Sequence, residues 1–357
     1  MSDIEKLLKD AFTAKAATVA DDGLTHPVPP PHRPASSRWL APLAVAVSLV
    51  VVASGIMLAV RGLADRPQFT GPYAAPPVAP IERVWPRAVH QVPAQGPGGV
   101  AFTPADVVGD LVVGKGEQQS ILLYDLARRT FSVLATVNAY TTNLIAGNGH
   151  AVWWSAGALW SVPLTGGDPL RLTTLEPSPS SLTGLGVANG MVVWSTVDAA
   201  VRQIPLTGGA VSEVPGSTGY VLMEWPWASR GREELLNLRD GTRSRKPMPE
   251  GRQTWFGCGP EWCADLVEAW RRDGTAARPF PGRPSARLWG GHVVHLIQPD
   301  PYGAPGSALY DLASGRAGHI LLGYGPGGGH PSLVLGDKAT YYRDGDTITV
   351  IDMDALR

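Results

Sequence analysis

The longest uninterrupted apolar run lies near the N-terminus, where residues 39–60, WLAPLAVAVSLVVVASGIMLAV, carry no charge over 22 positions. A helix rises 1.5 Å per residue, so this run is long enough to cross the ~30 Å hydrocarbon core of a bilayer. Arg38 and Arg61 bracket it, and Trp39 stands where an interfacial aromatic belongs. With 38 residues ahead of it, the run fits a cleaved signal peptide poorly, and the pattern predicts an uncleaved single-span anchor. Upstream, Ile4, Leu7, Leu8, Ala11 and Phe12 follow the spacing of one apolar helical face behind a Ser2/Glu5 capping box. They predict a short amphipathic helix over residues 2–17. Beyond residue 81 the pattern changes: short apolar runs alternate with glycine turns, and no long helical periodicity appears.

These runs repeat. Asn148-Gly149-His150-Ala151-Val152-Trp153-Trp154-Ser155, ending in Leu164-Thr165-Gly166-Gly167, matches Asn189-Gly190-Met191-Val192-Val193-Trp194-Ser195, ending in Leu206-Thr207-Gly208-Gly209. The offset is 41 residues at the Asn-Gly and 42 at the Leu-Thr-Gly-Gly. A period near 40–45 residues with several short strands per unit is the pattern of propeller blades. Asn-Gly and Thr-Gly-Gly supply turns, and the apolar run after each Asn-Gly reads as a strand buried on both faces. Weaker copies open at Gly109-Asp110, Gly290-Gly291 and Gly336-Asp337, and residues 220–224 and 258–267 mark two degenerate units. The sequence therefore predicts an all-β, seven-bladed β-propeller, with six or eight blades as alternatives. The last unit lacks room for four strands, and residues 81–93 are expected to supply the missing edge and close the ring.

Composition divides the chain further. Residues 1–38 form a polar, proline-rich tail, 39–60 the span, 61–80 a linker containing the stiff stretch PQFTGPYAAPPVAP, and 81–357 the propeller. Arginines flank both ends of the span, so the positive-inside rule does not orient it. The proline-rich spacer and the cysteine pair favour a cytoplasmic tail and an extracytoplasmic propeller at the cell membrane. Charged residues are only 17% of the chain and the net charge is −1, which gives no global attraction to nucleic acid.

Two cysteines, Cys258 and Cys263, flank Gly259-Pro260. Strands on either side of such a turn bring thiols within disulfide range, so a structural disulfide is favoured over free thiols or a redox-active pair.

The Asn-Gly units and the Asp-Gly and Thr-Gly-Gly turns resemble TolB-type or WD-like propeller repeats. Gly259-Pro260-Glu261 stands where that repeat usually has Ser-Pro-Asp-Gly. The order of helical tail, span, Val84-Trp85-Pro86-Arg87-Ala88-Val89 and Cys-x-x-x-Trp-Cys is similar to a group of actinobacterial membrane-anchored propeller proteins without an assigned reaction. Arginine outnumbers lysine 24 to 6, which suits a GC-rich genome. The resemblance implies a location and an architecture, and it carries no catalytic residues.

Nucleophile-elbow, Walker A, H-E-x-x-H and EF-hand patterns are absent from the sequence, and no cofactor or metal ligand set is assigned. His292 and His295 form H-x-x-H, but on a strand positions i and i+3 point to opposite faces. His150 and His292 follow blade turns and are expected to bond turn backbone. Residues 230–287 hold 12 basic against 8 acidic residues, while the rest of the propeller holds 11 against 17. Arg239, Arg243, Arg245, Lys246 and Arg252 cluster there as a candidate anionic-ligand patch. Trp225, Trp227, Trp255, Trp262, Trp270 and Trp289 crowd the same half and are expected to pack between blades.

These features predict a non-enzymatic binding module for a peptide, glycan or envelope component, with a cytosolic partner for the tail helix. The alternative is a propeller hydrolase or lyase with its site in the central channel. Convergence of four or more ionisable groups within about 6 Å at one channel mouth would overturn the non-enzymatic reading.

Overall fold

The computed structural model describes residues 79–356 apart from 118, 138–140, 175–181, 197–199, 232, 246–256, 300–304, 321–332 and 337. The tail, the 39–60 run and most of the linker therefore lie outside the described residues. Among those described, no helix is long and apolar enough to cross a membrane.

Seven antiparallel sheets follow one another along the chain. Blades 1 to 6 cover residues 102–136, 141–174, 182–213, 221–245, 257–279 and 283–320, each a four-stranded meander in sequence order. First strands touch one another between blades 1 and 2, 2 and 3, 3 and 4, and 5 and 6, which places them around the axis. Blade 7 combines Ala339–Asp344 and Thr347–Asp352 with Val89–Pro93, which pairs with the latter from Val89↔Ile351 to Pro93↔Thr347. A single bridge, Val334↔Tyr341, marks its innermost position. The N-terminal segment thus closes the ring, as the incomplete last unit predicts. Closure pairs a strand edge that would otherwise be open to other chains.

The repeat is visible in the turns. Asn148 and Gly149 have φ of 49° and 76°, and Asn189 and Gly190 have 53° and 74°. Positive φ at both central positions suits the right-handed twist of a two-residue hairpin. The amide of Leu164 donates to Gly149 O at 2.8 Å, and that of Leu206 donates to Gly190 O at 2.9 Å.

One boundary differs from the sequence reading. Each Asn-Gly turn joins the first strand to the second, so blades 2 and 3 begin at Thr141 and Leu182. The apolar run after the turn is the second strand, which is buried along most of its length in both blades. The first strand lines the axis and is mixed in burial. Register shifts break the first strands of blades 1, 2, 3, 4 and 6. A bulge adds an unpaired residue and local twist. These strands lack clean alternation, which hides them from a hydrophobicity reading.

Apolar clusters hold most neighbouring blades together. Trp154 and Leu159 of blade 2 pack with Val192 and Trp194 of blade 3, and Trp262 of blade 5 packs with Val294 and Leu296 of blade 6. Ile81 of the helix Ile81–Val84 and Trp85, which caps its C-terminus, join Trp289, Leu309 and Ile351 at blades 6 and 7. Burial of each large apolar side chain is worth roughly 1.5–3 kcal/mol. Among the described residues the junction of blades 4 and 5 is different. Its cluster holds only Cys258, Cys263 and Trp270, all from blade 5.

Candidate functional site

The strongest polar constellation lies where first strands end at one mouth of the channel. Glu224 closes the first strand of blade 4, Val221–Glu224. Lys338 precedes Ala339–Asp344, and its carbonyl accepts the Met353 amide at 3.0 Å. Asp354 follows Thr347–Asp352, where its amide is held by Asp352 Oδ1 at 2.9 Å. Lys338 Nζ donates to Glu224 Oε1 at 2.6 Å and to Asp354 Oδ2 at 3.1 Å. Blades 4 and 7 are not ring neighbours, so the Lys338–Glu224 bond spans the channel mouth. A methyl placed on Gly290 of blade 6 would lie 3.3 Å from His292 Nδ1 and 3.5 Å from Glu224 Oε2, so that turn rises beside the ion pair.

Burial pulls the Lys338 ammonium down, but Glu224 and Asp354 more than offset this and hold it above the ordinary lysine range. It is a cation at neutral pH, which removes it as an amine nucleophile. Asp106 in blade 1 feels the charges of both Lys338 and Asp354, and burial raises its carboxyl to about 7. Its oxygens are already engaged: Oδ1 accepts the Val107 amide at 2.8 Å and Oδ2 the Ala146 amide of blade 2 at 2.7 Å. Ser195 forms a similar link, its Oγ accepting the Leu222 amide of blade 4 at 2.8 Å. Three ionisable groups therefore meet directly at the mouth, while the fourth is turned onto neighbouring backbone.

The sequence-predicted patch is partly assembled. Arg243 and Arg245 lie two apart on the exposed outer strand of blade 4, with Arg239 exposed in the preceding turn. Arg243 sits over the Tyr220 ring at 5.8 Å and donates to Gly216 O at 3.2 Å. Arg245 lies 3.8 Å from Glu233. Lys246 and Arg252 lie outside the described residues.

The Cys258–Cys263 disulfide is present, joining directly opposed residues of the first hairpin of blade 5. His150 and His292 contact Asn148 O and Gly290 O through Nδ1, at 3.1 and 2.8 Å, as expected for strand-end histidines. Trp262, Trp270 and Trp289 are buried, and Trp225 and Trp227 partly so, while Trp255 lies outside the described residues. Sequence reasoning missed Lys338, Glu224, Asp354 and Asp106 as a group, since no local motif links residues 114 apart. The weak signal was a lysine directly after Gly336-Asp337, at a place other units fill differently.

The blade topology defines the class: a seven-bladed β-propeller. Comparison with family models finds no match, and no curated protein matches the chain. Solved structures similar to it include the computationally designed Ika8 protein, at 14% identity and TM-score 0.28, covering 71% of each chain. BamB from Moraxella catarrhalis is 11% identical with TM-score 0.38, covering 72% of this chain and 84% of that one. YCF48 bound to D1 peptide is 8% identical with TM-score 0.46, covering 75% and 96%. The assignment rests on this chain's own sheets and their order.

Proposed function

We propose that the protein is a single-pass membrane-anchored propeller, displayed outside the cell membrane, that binds an anionic envelope component without chemical turnover. The observation that supports this reading best is how the polar groups at the channel mouth are used. Lys338 is committed to two carboxylates and Asp106 to two backbone amides, so these groups tie blades together. The exposed edge of blade 4, with Arg239, Arg243 and Arg245, offers guanidinium forks suited to phosphate or carboxylate. The apolar 39–60 run supports the anchor, and the amphipathic face at residues 2–17 is offered to a cytosolic partner.

The test uses the full chain in detergent, titrated with a soluble phosphate polymer and with vesicles containing or lacking anionic lipid. Binding that weakens at least tenfold in an Arg239→Ala/Arg243→Ala/Arg245→Ala variant supports the reading. Equal binding of the variant and the parent overturns the patch. A second reading, a channel hydrolase or lyase, calls for four or more converging ionisable groups, of which Glu224, Lys338 and Asp354 supply three. Turnover of a hydrolysable substrate that Glu224→Gln abolishes, with the fold retained, would select it.

A further inference from the structure

The described junction of blades 4 and 5 lacks the shared apolar cluster found elsewhere and is bridged by a buried arginine instead. Arg272, 7% exposed, reaches from blade 5 to blade 4, where Nη2 donates to Ser244 O at 3.2 Å and to Glu233 O, and Nε to Ser244 Oγ at 3.4 Å. Its remaining arm points at the disulfide, with Nη1 3.0 Å from Cys258 Sγ. All these acceptors are neutral. Among the described residues no carboxylate acts on this guanidinium, and burial alone lowers its affinity for its proton.

A buried cation that no described carboxylate faces is costly, and a disulfide sulfur offers it only weak acceptance. Reduction changes that balance, because a thiolate at Cys258 would supply a negative charge at hydrogen-bond distance. A cationic neighbour lowers a thiol's pKa, and stabilising the reduced form makes a disulfide easier to reduce. Cys258 and Cys263 are register partners across the hairpin, so the bond can form and break without changing the strand pairing; both are buried, so the reductant reaches them when the hairpin opens locally.

We propose that Cys258–Cys263 is a reversible thiol–disulfide site in which Arg272 receives the Cys258 sulfur as a thiolate. The reductant is a dithiol. One of its thiolates attacks Cys263 Sγ, the S–S bond breaks, and the electron pair departs with Cys258. Its second thiol then displaces Cys263, which leaves as a thiolate and takes up a proton. The dithiol ends as a disulfide, the protein gains two electrons, and one of the dithiol's two protons goes to solvent. The site is independent of the ligand-binding reading.

The test uses the full chain carrying Cys263→Ser in detergent, where Cys258 is the sole thiol, and follows thiolate ultraviolet absorbance against pH. Half-ionisation at least one pH unit below the ordinary value of about 8.5 is expected. Adding Arg272→Met should raise the midpoint by at least one unit, and Arg272→Lys should leave it below the ordinary value. In dithiothreitol redox buffers at pH 8 the otherwise unsubstituted Arg272→Met protein should be at least about threefold harder to reduce. A midpoint at or above about 8.5 in Cys263→Ser alone overturns the proposal, whatever the fate of the Arg272 variants.

Discussion

Lys338 Nζ lies 2.6 Å from Glu224 Oε1, although 114 residues and two intervening blades separate them. The ring is thus tied twice, once at its outer edge by Val89–Pro93 and once across its mouth by this ion pair. Lys338→Met leaves Glu224 and Asp354 without their shared cation. Both partners of the main pair keep about a third of their side-chain surface exposed, so solvent screening limits the coupling to roughly 1 kcal/mol. A Lys338→Met/Glu224→Gln double-mutant cycle in urea should recover that coupling, and it should shrink in high salt. Strict additivity of the two single changes would show that the bridge carries no energy.

Ring closure gives a larger effect. Val92 is buried and paired with Ile348 in the blade that joins both ends of the propeller. Deleting residues 1–94 should abolish cooperative unfolding, because the outer strand of blade 7 and the docked side chains of Ile81 and Trp85 are lost together. A peptide spanning residues 79–94, added in trans, should restore it in a concentration-dependent way. Cooperative unfolding of the truncated chain at unchanged midpoint would contradict the closure.

Asp106 and His295 give opposite pH dependences. Burial raises Asp106 from 3.8 to about 7, so the folded chain holds a proton that the unfolded chain releases. Its contribution is full below 3.8 and is lost as pH rises through about 7. Burial lowers His295 from 6.5 to about 4, so its contribution is present above 6.5 and is lost as pH falls through about 4. The two slopes oppose each other between about 4 and 6.5. His295→Phe should unmask a stability that declines toward pH ~8, and Asp106→Asn one that declines toward pH ~4.5. Urea midpoints across pH check both, and identical pH profiles for the two variants would count against the assignment.

Gly184 tests the packing of first strands around the axis. A Cβ there would lie 2.3 Å from the backbone oxygen of Leu222 in blade 4, which cannot swing aside as a side chain would. Gly184→Ala should therefore cost on the order of 2–3 kcal/mol. Gly190, with open space at its Cβ but φ of 74°, should lose less on the same change, through backbone strain of roughly 1 kcal/mol.

Much of the architecture was legible in the sequence because its causes are local. Asn148-Gly149 and Asn189-Gly190 announce their own turns, and the second strands behind them are apolar on both faces because blades stack on both sides. Cys258 and Cys263 flank a turn short enough to predict their pairing. The first strands were harder to see, since bulges and the channel interrupt their pattern at Pro104/Asp106 and Leu222/Glu224. Lys338, Glu224 and Asp354 meet only because the ring closes, and Arg272 reaches its partners in another blade. Such contacts come from tertiary placement and leave no trace in residue spacing.

The central claim is a propeller displayed outside the membrane, and cysteine accessibility tests it most directly. Asp168, exposed between Ala158–Pro163 and Leu170–Thr174 of blade 2, is replaced by cysteine, and Thr18 of the tail by cysteine in a second protein, both in a Cys258→Ser/Cys263→Ser background. Intact and lysed cells are treated with a membrane-impermeant maleimide. The account predicts that the cysteine at position 168 reacts equally in both, whereas the one at position 18 reacts only after lysis. Labelling at position 168 that appears only after lysis would contradict it.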